Sequence, residues 1–270
     1  MFNPLIHRCR KSLRSLILGV LSLTLTLWLG SCSSATVTQT AITLNFGATS
    51  MIRNALQEID QIYQQEHPHI WLSTIFAGNG TIRAAVEKKE PFDGVLFANS
   101  NTLKELDTQG LIVSQSLREL VTTDMVVIAR SDSALQLTDI RDLTSDRFKT
   151  VAMGTNSLLV GRYTHTILER SKITQAVESK AVWATIDVRE VLRTVEQGEA
   201  DVGITFLPEA KALTNVKVLA TVPQDLYDPI RSTAAVLKSS EHPQEMQIYI
   251  DFLGSDRAQE ILQKFGLRSL

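Results

Sequence analysis

The sequence has 270 residues, of which 44% are hydrophobic and 21% are charged, and its formal net charge is −2. This composition is that of a globular protein and excludes a disordered or collagen-like chain. A chain of this length can form one large domain or two lobes of ordinary size. Its mildly acidic balance gives no electrostatic reason for nucleic-acid binding.

The first 31 residues are predicted to be an export signal. An uncharged apolar run over residues 16–29 follows a basic region of four side chains, Arg8, Arg10, Lys11 and Arg14. This run is shorter than the roughly 20 residues that a membrane-spanning helix needs. Cleavage after residue 31 leaves 23 basic and 29 acidic side chains, so the mature chain has a net charge of −6.

The end of the apolar run resembles the lipobox of bacterial lipoproteins. Residues 29–32 are Leu-Gly-Ser-Cys, a bulky aliphatic residue and two small ones before a cysteine. We expect Cys32 to carry a lipid, residues 32–40 to form a tether, and the protein to lie in the periplasm or on the outer face of the cytoplasmic membrane. The alternative is an ordinary secretory signal with an incidental Cys32. The other cysteine, Cys9, lies in the signal, so the mature body has no pair for a disulfide.

Strand-like and helix-like segments alternate from residue 41 onward. Strands are predicted at 41–46, 70–76, 92–98, 125–129, 150–153, 202–206 and 232–237. Helices are predicted at 51–66, 81–89, 101–109, 137–143, 161–170, 188–197 and, as one or two helices, 243–265. The alternation predicts an α/β fold of mostly parallel sheets flanked by helices. We place residues 41–121 and 223–270 in a discontinuous lobe 1 and residues 122–222 in lobe 2, so that two hinge strands cross between the lobes.

Four turns rich in small or polar residues directly precede predicted helices, at residues 47–50, 78–80, 154–161 and 185–188. A helix start has free N–H groups and about half a positive charge, so it attracts an anion without a cationic side chain. Thr49, Ser50 and Asn79 would add hydroxyl or amide donors. Each turn alone is explained as a helix cap or a chain reversal. Together they predict an anion site, because open α/β sheets bind ligands at the carboxyl ends of strands.

Five segments resemble, in order and spacing, blocks of the molybdate-binding protein family of ABC importers. They are residues 46–59 (FGATSMIRNALQEI), 76–99 (FAGNGTIRAAVEKKEPFDGVLFAN), 151–168 (VAMGTNSLLVGRYTHTIL), 187–210 (DVREVLRTVEQGEADVGITFLPEA) and 234–237. The resemblance spans most of residues 41–270 and implies the two-lobed periplasmic-binding fold, which holds a tetrahedral oxyanion with neutral donors. It implies capture of molybdate or tungstate and its delivery to an ABC permease. We expect a monomer without a cofactor.

The resemblance also implies the ligand-binding positions. The family's first serine falls at or beside Ser50, its second serine on Asn79, its backbone donors on Val160 and Val188, and its ligand tyrosine on Phe206. Asn79 donates from further out than a serine, and Phe206 has no hydroxyl. Sulfate, phosphate or an organic acid is therefore the alternative ligand. A sensory module that contacts a receptor is the alternative role.

Two further functions are disfavoured. A protein-ligated metal is not expected, because the histidines form no Cys/His cluster with zinc-like spacing. An enzyme with Ser50 as its nucleophile is not expected, because the surrounding ATSMI lacks the G-x-S-x-G turn. Trp71 and Trp183 are interpreted as packing residues.

Overall fold

The computed structural model describes residues 40–270. The predicted export signal, the acylation site Cys32 and the tether up to residue 39 lie outside the described residues and stay predictions. Residues 41–270 form one compact unit. Within this part of the chain, no helix is both long enough and apolar enough to cross a bilayer.

The strands of the described chain form two sheets. In chain order they are β1 (Ile42–Thr49), β2 (Ile70–Ala77), β3 (Gly94–Phe97), β4 (Arg118–Thr123), β5 (Met125–Arg130), β6 (Val151–Gly154), β7 (Ala181–Ala184), β8 (Val202–Phe206), β9 (Val216–Thr221), β10 (Ile230–Val236) and β11 (Arg268–Ser269). The first sheet has the order β11-β4-β10-β3-β1-β2, and the second has the order β7-β6-β8-β5-β9.

Helices pack on both sheets. They are α1 (Arg53–Glu66), α2 (Asn79–Glu87), α3 (Ser100–Thr108), α4 (Leu159–Arg170), α5 (Thr174–Glu178), α6 (Val188–Glu196), α7 (Leu207–Lys211), α8 (Pro243–Leu253) and α9 (Asp256–Lys264). Short 3-10 turns occur at Ser50–Ile52, Ser114–Ser116, Ile140–Thr144 and Gln224–Leu226. Helices α1, α2, α3, α8 and α9 pack with the first sheet and make the first lobe. Helices α4, α6 and α7 pack with the second sheet, α5 packs against α4, and these four make the second lobe.

The predicted α/β class is confirmed, with one difference in strand direction. β1 is parallel to β2 and β3, and β6 is parallel to β7 and β8. β10 runs antiparallel to β3 and β4, and β5 runs antiparallel to β8 and β9. The sheets are therefore mixed and not mostly parallel. The antiparallel strands are those next to the crossings, where the chain enters a sheet from the other lobe.

The chain crosses between the lobes twice, through Asp124 between β4 and β5 and through residues 222–229 between β9 and β10. The buried Tyr227 links the two crossings. The Met125 N–H donates to its hydroxyl at 3.2 Å, and that hydroxyl donates to Asp124 Oδ1 at 3.5 Å. The predicted lobe boundaries at 121/122 and 222/223 stay a prediction. Residues 122–123, placed in lobe 2 from the sequence, pair within the first sheet as part of β4.

The helical spacing predicted for α1 matches its buried face. Leu56, Ile59 and Tyr63 are fully buried, as this spacing requires. The helix begins later than predicted because residues 50–52 form a 3-10 turn. The interpretation of the tryptophans as packing residues is wrong, since Trp71 is 66% exposed and Trp183 is 45% exposed. Both lie on strands at sheet edges, where one side faces solvent.

Gly161 is required by the close approach of α4 to the loop before it. A Cβ at this position would overlap the carbonyl oxygens of Gly154 and Thr155, whereas a Cβ at Gly80 meets no described atom within 4 Å. We expect Gly161→Ala to lower the free energy of unfolding by about 2 kcal/mol or more, as overpacking does. Gly80→Ala is the matched control and should change it by about 1 kcal/mol at most. Urea denaturation measures both, and equal stabilities would contradict the steric assignment.

Asp60 gives the fold a pH dependence. It is 8% exposed, and its carboxylate accepts hydrogen bonds from the hydroxyls of Tyr249 and Thr74. Burial raises the pKa of Asp60 to about 6, although the two hydrogen bonds oppose the shift. Because the unfolded pKa is about 3.9, the folded chain binds this proton more tightly. The contribution of Asp60 to stability therefore falls as pH rises from about 4 to about 6 and is constant above that range.

We expect the difference in unfolding free energy between wild type and Asp60→Asn to shift by about 3 kcal/mol across this pH range. Wild type should lose stability relative to the variant as the pH rises. Chemical denaturation at several pH values measures the difference. Asp146→Asn, which removes an exposed carboxylate, is the control. A difference that does not vary with pH would show that Asp60 titrates normally.

Candidate functional site

A cavity of about 150 Å³ is lined from both lobes. Its walls are residues 49–51 and 78–81 of the first lobe, and residues 157–160 and 186–188 of the second, together with Arg162 and Phe206. These are the segments in which the sequence predicted an anion site. The structure therefore brings the predicted turns to one place.

Every wall segment lies at or just after the carboxyl end of a strand. Residues 49–51 follow β1, and residues 78–81 follow β2, which is parallel to β1. In the second lobe, residues 157–160 come after β6, residues 186–188 come after β7, and Phe206 is the last residue of β8. Both β7 and β8 are parallel to β6. Parallel strands end at the same edge of their sheet, which is where open α/β sheets bind ligands.

The six predicted ligand-binding residues all line this cavity. They are Thr49, Ser50, Asn79, Val160, Val188 and Phe206. Thr49, Asn79, Val160 and Phe206 are buried, and the other two are partly exposed. Their contacts with a ligand stay a prediction.

Two helices begin earlier than the sequence predicted. Asn79 is the first residue of α2, and Val160 lies in the first turn of α4. In α4 the Arg162 N–H donates to the Leu158 carbonyl at 3.1 Å, so the amides of residues 159–161 precede this first helical bond. These amides lie at the positive end of the helix dipole, beside the cavity.

Asn79 has a fixed amide with a free donor. Its Oδ1 accepts the Ala98 N–H at 3.4 Å. This bond assigns Nδ2 to the other side of the amide, where it is buried and has no hydrogen-bond partner within residues 40–270. A buried donor without a partner costs stability, so a ligand that accepts from it would recover that cost.

The turn before α6 is held by two carboxylates. Asp187 Oδ1 accepts the Glu190 N–H at 3.0 Å. Glu190 Oε2 accepts the N–H groups of Thr185 and Ile186 at 2.7 and 2.9 Å, and these bonds lower the pKa of Glu190. The amides of Thr185 and Ile186 are thereby used inside the turn. The Val188 N–H is at the start of α6, among the amides that precede the first helical bond, and Val188 lines the cavity.

Arg162 is a cavity residue that the sequence analysis missed. Its Nη1 donates to the carbonyls of Asn156 and Ser157, both at 3.3 Å, so the guanidinium folds back over the start of α4. The cavity therefore has a cation as well as neutral donors. The sequence could have indicated Arg162, because side chains in the first turn of a helix point toward the helix N-terminus, where the cavity lies.

Phe206 closes one wall of the cavity with an apolar ring. It is 2% exposed, and its centroid lies 5.9 Å from that of Tyr163 in an edge-to-face contact. Within the described residues, no histidine lines the cavity and no group of three or more His, Cys, Asp or Glu side chains could hold a metal ion.

Comparison with known proteins gives the family. The family model described as bacterial extracellular solute-binding protein matches residues 44–268. The molybdate-binding protein ModA of Haemophilus influenzae is 27% identical over 226 residues, which cover 82% of this chain and 87% of that protein. A Bacillus subtilis protein, YvgL, named provisionally as an ABC transporter substrate-binding lipoprotein, is 26% identical over 251 residues, or 92% and 95% of the two chains.

The fold is shared with a solved structure. The periplasmic molybdate-binding protein of Azotobacter vinelandii superposes with a TM-score of 0.74 at 16% identity, over 83% of this chain and 98% of that chain. This likeness confirms the predicted two-lobed periplasmic-binding fold. With a family model that matches nearly all of residues 41–270, the chain belongs to the bacterial extracellular solute-binding proteins.

Proposed function

We propose that this protein captures a small oxyanion, molybdate or tungstate first among them, in the interlobe cavity and delivers it to an ABC permease. The proposal rests on one observation: the carboxyl ends of five strands, from both sheets, line a single cavity. Its volume of about 150 Å³ is below the roughly 300–1,000 Å³ of pockets for drug-sized ligands. A tetrahedral oxyanion suits this size, and a peptide does not.

The donors around the cavity supply the chemistry that a buried anion needs. Backbone N–H groups come from the starts of α2, α4 and α6, and Asn79 Nδ2 is a side-chain donor without a partner within residues 40–270. Hydrogen bonds to a charged group contribute about 1.5–3 kcal/mol each. Several such bonds would replace the water shell that the anion loses.

Binding would also hold the lobes together. Because the wall has segments from both lobes, an anion makes its full set of contacts only when the lobes close on it. The crossings at Asp124 and at residues 222–229 are the places where the chain can bend. We propose that this closed form docks on the permease.

The same cavity admits other ligands and roles. Sulfate, phosphate or an organic acid is the alternative guest, because Asn79 and Phe206 change the wall. A sensory module is the alternative role, and the names of the relatives favour transport. The lipobox-like residues and the lipoprotein name of YvgL support an acylated Cys32 and export as a membrane-anchored protein. Catalysis by Ser50 is disfavoured, since no histidine among the described residues lines the cavity.

Calorimetry with molybdate, tungstate, sulfate and phosphate tests the proposed function. We expect calorimetry to show tight binding of molybdate and tungstate and weaker binding of sulfate and phosphate. Asn79→Ala should weaken molybdate binding about tenfold, because it removes one charge-assisted donor. Asn101→Ala, outside the cavity, is the matched control. No heat and no thermal shift with any of the four anions would overturn the proposal.

Phe206→Tyr tests whether this position is the family's ligand tyrosine. A hydroxyl aimed into the cavity should tighten molybdate binding about tenfold. Phe265→Tyr makes the same chemical change at a partly exposed position outside the cavity and is the control. If Phe206→Tyr leaves the affinity unchanged, the correspondence at this position is wrong.

A further inference from the structure

A second cavity, which we call the side cavity, lies beside the ligand cavity and has a volume of about 300 Å³. Leu159 and Arg162 line both cavities, so the two are adjacent. The rest of the side-cavity wall comes from residues 99–101 of the first lobe, from α4 of the second lobe, and from Asp228 and Pro229 of the second crossing. Like the ligand cavity, it therefore lies between the lobes.

The side cavity is open to solvent, whereas much of the ligand cavity is buried. Asn101, Arg162 and Asp228, which line the side cavity, are exposed. In the ligand cavity, Thr49 is 4% exposed and Asn79 is 5% exposed. An anion that comes from solvent through the side cavity therefore meets Arg162 before it reaches the buried donors.

The guanidinium of Arg162 is loosely held and its charge is not paired. Its two hydrogen bonds, to the carbonyls of Asn156 and Ser157, are both 3.3 Å long, which is beyond the usual 2.7–3.2 Å for N–H···O bonds. Within residues 40–270 it forms no ion pair with a carboxylate. The carboxylate of the side cavity, Asp228, is instead paired with Arg170 at 2.8 Å. Arg162 is therefore free to turn toward an incoming anion.

A local cation matters here because the protein as a whole is acidic. The predicted mature chain has a net charge of −6, so its long-range field repels a dianion such as molybdate. A positive charge at the mouth of a cleft offsets this repulsion and raises the local concentration of an anionic ligand. Among the described residues, Arg162 is the only cation that lines either cavity.

We propose that the side cavity is the entry route to the ligand cavity and that Arg162 attracts the oxyanion there, before the anion moves on to the neutral donors. This inference rests on the proposed function of the ligand cavity. Across about 6 Å of water, one positive charge and a dianion attract each other by about 1.4 kcal/mol, which corresponds to about a tenfold enrichment. Arg162 should therefore act on the rate of association.

Rates of molybdate association, measured by stopped flow or by rapid filtration with radioactive molybdate, test this role. At an ionic strength of about 0.01 M, we expect Arg162→Gln to associate about tenfold more slowly than wild type. The difference should shrink to about twofold at about 0.5 M, because salt screens the attraction. Arg147→Gln is the matched control, since it removes the same charge at an exposed position that lines neither cavity. It should stay within about twofold of wild type.

Two more variants separate the charge of the entry route from its shape. Arg162→Lys keeps the charge and should associate nearly as fast as wild type. Asp228→Asn removes a negative charge from the side cavity and should speed association about threefold at low salt. If Arg162→Gln changes only the dissociation rate, the residue holds the bound anion and the entry role is wrong. Unchanged association in both Arg162→Gln and Asp228→Asn would show that the anion enters elsewhere.

The entry role and the proposed function fail in different ways. If wild type binds none of molybdate, tungstate, sulfate and phosphate, the proposed function fails and the entry role fails with it. If wild type binds molybdate and Arg162→Gln associates at the wild-type rate at low salt, the entry role alone fails. Arg162, Arg147 and Asp228 are exposed, so we expect all of these variants to fold, and thermal unfolding checks this.

Discussion

The proposed site depends on one constraint: an anion can be buried only where enough N–H donors converge to replace its water. No single helix start provides them. Here the parallel pairs β1–β2 and β6–β7, with β8 beside β6, direct several chain reversals to the facing edges of two sheets. Strand direction, more than cationic side chains, therefore determines where the site lies.

The two sheet edges face each other because of the two crossings between the lobes, at Asp124 and at residues 222–229. Asp124 and Tyr227 lie in different crossings, and a hydroxyl–carboxylate contact joins them. Arg268 forms an ion pair with Asp124, so the end of the chain is tied to the same point. In the proposed closure, bending at this point would change the distance between the lobes and leave each sheet intact. The antiparallel strands beside the crossings are a consequence of this connectivity and not a departure from the fold.

Much of this arrangement could be predicted from local sequence. The strand at residues 202–206 has its predicted bounds, and the buried face of α1 follows its apolar spacing. Strands β4 and β9 were missed because their alternation of polar and apolar residues is short, and their pairing partners are distant in sequence. The early start of α4 was also missed. It depends on Gly161 lying against the carbonyl of Thr155, a contact that no local pattern encodes.

Selectivity among oxyanions must come from geometry, because molybdate and sulfate carry the same charge. The two residues that depart from the family resemblance, Asn79 and Phe206, line the cavity from different lobes. Asn79, on the first lobe, extends a donor further than a serine would, and Phe206, on the second, offers none. The polar side chains that line the cavity come from both lobes: Thr49, Ser50, Asn79 and Thr81 from the first, and Ser157, Arg162 and Asp187 from the second. In the proposed site, an anion would therefore be selected by whether its size lets it reach Asn79 without a side-chain donor at Phe206.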